Sequence, residues 1–266
     1  MIKTIVITGS TDGIGKLAAI KLAKEGHEIY LHGRNAMKLA TVIAEVKELS
    51  DNPTVKGFVA DFSDLEAVKQ MGQQLINAVP KVDVLINNAG VFKSAISHNK
   101  KGLDIRFVVN YLAPYLLTHM LLPLLSKGTE TRILNLSSAA QASVSPQALI
   151  GKSQLTTQEA YAQSKLALTM WSFHLAKTLT DISVIAVNPG SLLNTNMVKE
   201  AYGYHWASAD KGADILYKLA VSTVYTGVTG QYFDNDQGAF GQAHTDVNKQ
   251  AKMDRLIEAT KTIIKI

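Results

Sequence analysis

The chain contains no cysteine, which excludes disulfide staples, thiolate nucleophiles and cysteine-held metals together. A reducing compartment fits that composition, and a cytoplasmic location is expected. Runs of like charge are missing as well. The 27 Lys and Arg residues against 22 Asp and Glu leave a net charge of +5, with the cations scattered. No clustered basic face of the kind that grips nucleic acid is written in the sequence. The histidines are dispersed too, as His27, His32, His98, His119, His174, His205 and His244. Without paired ligand spacing they predict solvated or packed rings and no metal. Long hydrophobic runs are scarce. Residues 111–125 form the longest, broken by Pro114, His119 and Pro123. That falls short of the roughly 20 apolar residues that span a bilayer, so a buried helix and no membrane span are expected. Residues 1–8 read as a strand rather than a secretory signal. A Pro/Gly/Ser-rich linker is also lacking. A single domain over residues 1–266 is expected, with 235–266 as a C-terminal extension carrying a helix over 245–264.

What is present is an alternation. Short apolar, β-branched runs lie at residues 2–8, 27–31, 55–59, 82–86, 133–136 and 184–187, with a shorter one at 231–233. Between them, segments 14–25, 36–49 and 65–79 place apolar residues three and four apart, and longer helical stretches cover 103–126, 158–180 and 209–222. Continuous apolar strands, each followed by a helix, predict a doubly wound parallel α/β sheet of Rossmann type. About seven strands with helices on both faces are expected. Ligands in such folds bind beyond the carboxyl ends of the strands, where the polar and glycine-rich residues of this chain gather.

Gly9, Ser10, Thr11, Asp12, Gly13, Ile14 and Gly15 join the first strand to the first helix. Small residues let the backbone turn tightly against a pyrophosphate, and the helix start offers free N–H groups and a partial positive charge. Tyr161 and Lys165 stand four apart on a helical segment, so they share a face. A free tyrosine has a pKa near 10, and a neighbouring ammonium favours the phenolate, lowering that value by about 1–3 units. The pair would serve as proton donor in ketone reduction and as base in alcohol oxidation. Arg34 follows the second strand, where an arginine accommodates a 2′-phosphate and an acid would grip a ribose hydroxyl. NADP(H) is therefore the expected cofactor, with NAD(H) possible. Asp12 counts against that preference.

The spacing Gly-x-x-x-Gly-x-Gly in these residues resembles the short-chain dehydrogenase/reductase family, and the resemblance runs from about residue 3 to 234. It implies that Asn88, Ala89 and Gly90, from Asn87-Asn88-Ala89-Gly90, lie beside the cofactor. It also implies that Asp61, with Phe62, meets the adenine, and that Pro189 and Gly190 flank the nicotinamide. The local alternatives are turn bonding by Asn87 and Asn88, a helix cap at Asp61 and a plain Pro-Gly turn. The resemblance further implies that Ser138 holds the substrate oxygen, with Ser137 as its easily confused neighbour. By the same resemblance Asn110 would hold a water relay to the lysine, and Tyr161 and Lys165 would also contact the cofactor. Asn110, Ser138, Tyr161 and Lys165 thus fill the catalytic set.

Two departures stand out. Tyr161 follows Ser138 by 23 residues, longer than the dozen or so usual in the family. Similar lengthening marks the retinol-dehydrogenase-like and WW-domain-oxidoreductase-like branch, which includes reductases of apolar carbonyls. Thr195 comes one residue late after Pro189-Gly190, which makes its nicotinamide contact less secure. The implied activity is hydride transfer between NADP(H) and a small, apolar carbonyl or alcohol. The implied assembly is a homodimer or homotetramer formed through helices 103–126 and 158–180. A nucleotide-sensing binding protein without catalysis is the alternative function. The aromatic stretch 192–206 is expected to cover the substrate.

Overall fold

The computed structural model describes residues 1–265. The apolar runs become strands and the periodic segments become helices. In chain order these are β1 (Thr4–Ile7), α1 (Gly13–Lys24), β2 (Glu28–Gly33), α2 (Ala36–Ser50), β3 (Lys56–Val59), α3 (Leu65–Ala78) and β4 (Val84–Asn87). Then come α4 (Ile105–Phe107), a π-helical turn (Val108–Leu112), α5 (Ala113–Leu125), β5 (Arg132–Leu136), α6 (Pro146–Leu149) and α7 (Thr157–Thr178). The remainder is β6 (Ser183–Asn188), α8 (Asn196–Tyr202), α9 (Ala209–Val221), β7 (Gln231–Asp234), β8 (Ala239–Gly241) and α10 (Gln250–Ile263).

The sheet runs β3-β2-β1-β4-β5-β6-β7-β8, and its first seven strands in chain order are parallel. The order reverses between β1 and β4, which opens the crevice used for ligands in folds of this type. β8, antiparallel to β7 with Phe240 opposite Phe233, is one strand more than the seven expected. A three-residue strand in a glycine-containing stretch has too few alternations to announce itself. Two apolar cores result. One joins α3, α5, α7 and α10 to a face of the sheet and includes Trp171 and Tyr111. The other joins α1, α2 and α9 to the opposite face.

Side-chain caps fix where helices begin. Asp12, Asn35 and Asp64 accept N–H groups in the first turns of α1, α2 and α3. Thr156 and Glu159 form a reciprocal capping box at α7, satisfying two otherwise orphaned donors.

The expected helix over 103–126 is broken by the π turn, and Asn110 lies inside that turn. The run Ile105–Leu125 is nevertheless 21 residues long, with a mean hydropathy of 1.4, enough to cross a membrane by length and composition. Within the molecule 72% of that window is buried, because it packs as a core helix.

After β8 a 3₁₀ turn (Thr245–Asn248) leads into α10. This helix docks on its own chain. Met253, Leu256, Ile257 and Thr260 are buried, and the Thr260 hydroxyl meets that of Tyr111 at 2.7 Å. Ile263 is only partly covered. Asp246 lies beneath the segment between Ser138 and Tyr161. It accepts from Ser143 (2.5 Å) and Lys252 (2.6 Å), and Lys249 approaches it to 2.9 Å. The C-terminal segment thereby clasps the lengthened loop.

Candidate active site

The crevice between β1 and β4 is built by backbone held close. Gly9 has φ +62°, and a Cβ there would sit 2.6 Å from Ala89 Cα. Asn88 Nδ2 donates to the carbonyls of Thr8 and Gly9 (2.8 and 2.9 Å), and Thr8 Oγ1 accepts from the Asn88 and Ala89 N–H groups (both 3.0 Å). These bonds tie the ends of the two strands into one rim. Asn87 points away from the rim. It donates to Thr118 (3.0 Å) and Asn135 (2.8 Å) inside the core. Ser10 is buried and donates to the Ile7 carbonyl at 2.8 Å, so it shapes the turn from within.

His32 completes the turn, a role missed in the sequence. Its Nδ1 accepts the Gly9 N–H (3.0 Å), so Nε2 carries the proton and donates to the Ala60 carbonyl (2.9 Å). The ring stacks on Phe62 at 4.1 Å, which turns the Phe62 side chain inward rather than toward an adenine. Burial pulls the imidazole down to about 4, so it stays neutral and keeps both bonds. Its place at the end of β2, two residues before Arg34, was the available signal.

Arg34 and Asp61 are exposed at the outer end of the crevice. One Asp61 oxygen accepts the Ser63 N–H at 2.9 Å, as a local cap would. Asp12, the residue that argued against a phosphorylated cofactor, is not a bare charge. Lys38 from α2 donates to it at 3.0 Å and Asn196 from α8 at 2.7 Å. Burial raises its pKa, but the bonds from Lys38, the Gly13 N–H and Asn196 outweigh that and hold it below the usual carboxylate value. Thr195 caps α8 and lies 3.4 Å from where a Cβ on Gly13 would stand. The late threonine therefore does reach the glycine turn. Gly190, at φ +117°, lies beside Asp236. The latter accepts from Ser191 N (2.8 Å) and from Asn188 Nδ2 (2.9 Å), and Asn235 donates to the Pro189 carbonyl at 2.8 Å. None of these β7-side anchors was legible in the sequence.

Tyr161 and Lys165 do meet. The Lys165 ammonium lies 5.7 Å from the Tyr161 ring centroid and donates to the Leu136 carbonyl at 2.7 Å. Ser138 is partly exposed and lies within hydrogen-bonding reach of the phenol, whereas Ser137 is buried against Thr169 at 2.5 Å. Asn110 is fully buried. It accepts the Val91 N–H (2.7 Å) and donates to the Val91 carbonyl (3.0 Å) and to Ser164 Oγ (2.9 Å). A Cβ on Gly90 would sit 3.4 Å from both Asn110 Oδ1 and Lys165 Nζ.

One electrostatic expectation is corrected. Burial pushes the Tyr161 phenol up to about 12, with the Ser138 bond opposing, and burial pulls Lys165 down to about 8. Desolvation outweighs the ammonium's influence because Lys165 is turned to a backbone carbonyl instead of the phenol oxygen.

A dinucleotide fits these residues. The start of α1 lies at this rim, the nearby carboxylate is paired, and Gly9 and Gly90 leave no side chain between the two strand ends. No cluster of metal-ligating side chains occurs among the described residues. A family model described as short chain dehydrogenase matches residues 3–203. Retinol dehydrogenase 13 from Mus musculus is 31% identical over 251 residues, covering 87% of this chain and 75% of that protein. Polyprenol dehydrogenase from Homo sapiens is 30% identical, covering 88% and 77%. Among solved structures, one from Shigella flexneri complexed with NADP is 28% identical with a TM-score of 0.71, covering 88% of this chain and 97% of that one. One from Escherichia coli complexed with NADPH is 26% identical, with a TM-score of 0.73 and coverage of 88% and 96%.

Proposed function

From the premise that this chain belongs to the short-chain dehydrogenase family, whose members are NAD(P)-dependent oxidoreductases, we propose that it interconverts a carbonyl and an alcohol with NADP(H), Tyr161 moving the proton. The observation that carries this reading is the convergence of Tyr161, Lys165 and Ser138 at the mouth of the crevice. When bound, the nicotinamide supplies or accepts the hydride. Ser138 Oγ orients the substrate oxygen by a hydrogen bond that strengthens as charge develops there. Tyr161, kept protonated by burial, donates its proton to that oxygen in reduction. Lys165 lends positive charge beside the phenol and a donor to the cofactor's ribose. Asn110 fixes Val91 and Ser164, and through them the backbone next to Gly90 and the Tyr161 carbonyl, which Ser164 Oγ bonds at 2.7 Å.

The remaining cofactor contacts fall to the glycine turn, to Asn88, Ala89, Gly90, Asp61 and the backbone at Phe62, and to Pro189, Gly190 and Thr195. NADP(H) over NAD(H) is supported by Arg34 at the outer crevice, by the neutralisation of Asp12 through Lys38, and by two solved relatives complexed with NADP and NADPH. One domain carries both sites, and a cytoplasmic location without a membrane span is part of the same proposal. A homo-oligomer is retained with one amendment, because α10 already occupies part of the α7 surface. The substrate presents an apolar body to Phe92, whose ring meets Tyr161 edge-on at 4.9 Å, and to Tyr202, 5.7 Å from Phe92.

Tyr161→Phe tests the assignment. Reduction of a panel of aldehydes and ketones, followed by NADPH absorbance, is expected to fall by about 10³-fold while NADPH affinity changes less than threefold. Turnover at the parental rate would remove Tyr161 from the chemistry and favour a nucleotide-sensing binding protein.

A further inference from the structure

Beside Phe92 and Tyr202 lies an open cleft of about 520 Å³, a volume that suits a small organic ligand. One aromatic wall, Phe92, meets the Tyr161 ring edge-on at 4.9 Å, and Tyr202 packs on Phe92 at 5.7 Å, so the cleft adjoins the side chain that carries the reacting phenol. The rest of the lining is one-sided. Lys93 and Arg106 contribute cations, Ser94, Ser97 and Thr157 contribute hydroxyls, and no carboxylate lines it among the described residues.

Arg106 is the informative member. It is 4% exposed, yet it forms part of the cleft wall. Asp104 holds its Nε at 2.8 Å and its Nη2 at 2.6 Å. These bonds use Nε and Nη2, and Nη1 has no hydrogen-bond partner among the described residues, so a wall residue of the cleft retains a donor. The bidentate pair sets the guanidinium plane and cancels one charge, leaving Lys93 as the net cation. Lys93 spends one of its three donors on the Glu200 carbonyl at 2.7 Å, which draws the ammonium in under α8. A wholly apolar molecule would strip water from both groups and return nothing.

We propose that the substrate is amphipathic. Its carbonyl and an apolar, ring-sized body lie against Phe92 and Tyr202, and a carboxylate or similar oxyanion at its far end binds Lys93 Nζ and Arg106 Nη1. This rests on the reading of Tyr161 given above and narrows the substrate class to acidic carbonyl compounds and their alcohols. No group other than the carbonyl reacts, so the oxyanion is a handle for binding and orientation.

The test compares 4-acetylbenzoate with its methyl ester, which differ at the far end and share the ketone and ring. Reduction by NADPH is measured as kcat/KM. Binding of each compound to NADP⁺-saturated protein is measured by calorimetry, which needs no turnover. The acid is expected to exceed the ester by about tenfold or more at low salt. That ratio should shrink as salt is raised and fall to within about threefold in Lys93→Gln and in Arg106→Gln. The ratio is the readout, so any loss of folded protein in Arg106→Gln cancels. An ester bound and reduced as well as the acid overturns this inference and leaves the oxidoreductase reading intact. If both compounds bind and neither is reduced, the binding ratio still decides the inference, and the failure falls on the proposed chemistry. A protein that binds neither overturns the inference as well.

Discussion

Replacing Asn110 with alanine removes three hydrogen bonds at once: one from the Val91 N–H, one to the Val91 carbonyl and one to Ser164 Oγ. The first loss is the costliest, because an N–H left without a partner keeps its full desolvation penalty, about 1–3 kcal/mol. The carbonyl and the hydroxyl each lose a bond worth about 0.5–1.5 kcal/mol. The sum is about 4 kcal/mol, which for a chain of this size lowers the melting temperature by roughly 8–16 °C. Activity should suffer beyond stability, since Val91 adjoins Gly90, beside which Lys165 Nζ lies; kcat is expected to drop about 100-fold at temperatures where the variant is folded. Asn110→Asp sharpens the argument. It keeps the acceptor for the Val91 N–H but sets a second oxygen against the Val91 carbonyl and against a Ser164 hydroxyl whose proton goes to the Tyr161 carbonyl. The aspartate variant should therefore be no more stable than the alanine variant despite its closer shape. Thermal melts by circular dichroism, paired with steady-state reduction assays, give both numbers. An alanine variant that melts within a degree of the parent and turns over within threefold of it would refute the reasoning.

Three further outcomes follow from the same geometry. Carbonyl reduction needs a protonated Tyr161, which burial secures to about 12, and a charged Lys165, which burial limits to about 8; kcat/KM for reduction should be flat near neutrality and fall toward tenfold per pH unit above about 8, and a rise there would contradict it. Arg34→Leu should raise the NADPH KM by about 10–100-fold, matching the loss of one charge-assisted phosphate bond, while NADH changes less than about threefold; equal effects on both cofactors would remove Arg34 from the 2′-phosphate. Burial raises the pKa of Asp246, but bonds from Lys252, Ser143 and Lys249 outweigh it and hold the carboxyl well below its usual range, so its stabilisation is present above the unfolded value near 4 and fades as pH falls. Asp246→Asn should cost about 2 kcal/mol at pH 7, and the gap from the parent, read from urea melts, should narrow in acid.

The sheet was readable because its signal is local. Each of the first six strands is an apolar run followed by a helical period, and the glycine turn, the Asn-Asn-Ala-Gly rim and the Tyr-x-x-x-Lys pair are all short in sequence. What escaped is long-range. Asp12 meets Asn196 across 184 residues and Ser143 meets Asp246 across 103, and no periodicity encodes such partners. His32 looked like any packed histidine until Gly9 and Ala60 were seen on its two nitrogens. The phenol's pKa was misjudged for a related reason. Spacing brought the ammonium to the right face, but burial and the Leu136 carbonyl decide how the two charges behave.

The docking of α10 has a consequence for how the protein is made. This helix follows every other described element, and Tyr111 must wait for Thr260, 149 residues downstream. At typical ribosomal rates of about 5–20 residues per second that delay is roughly 7–30 s. Throughout it the nascent chain exposes the apolar surface that Met253, Leu256 and Ile257 later cover.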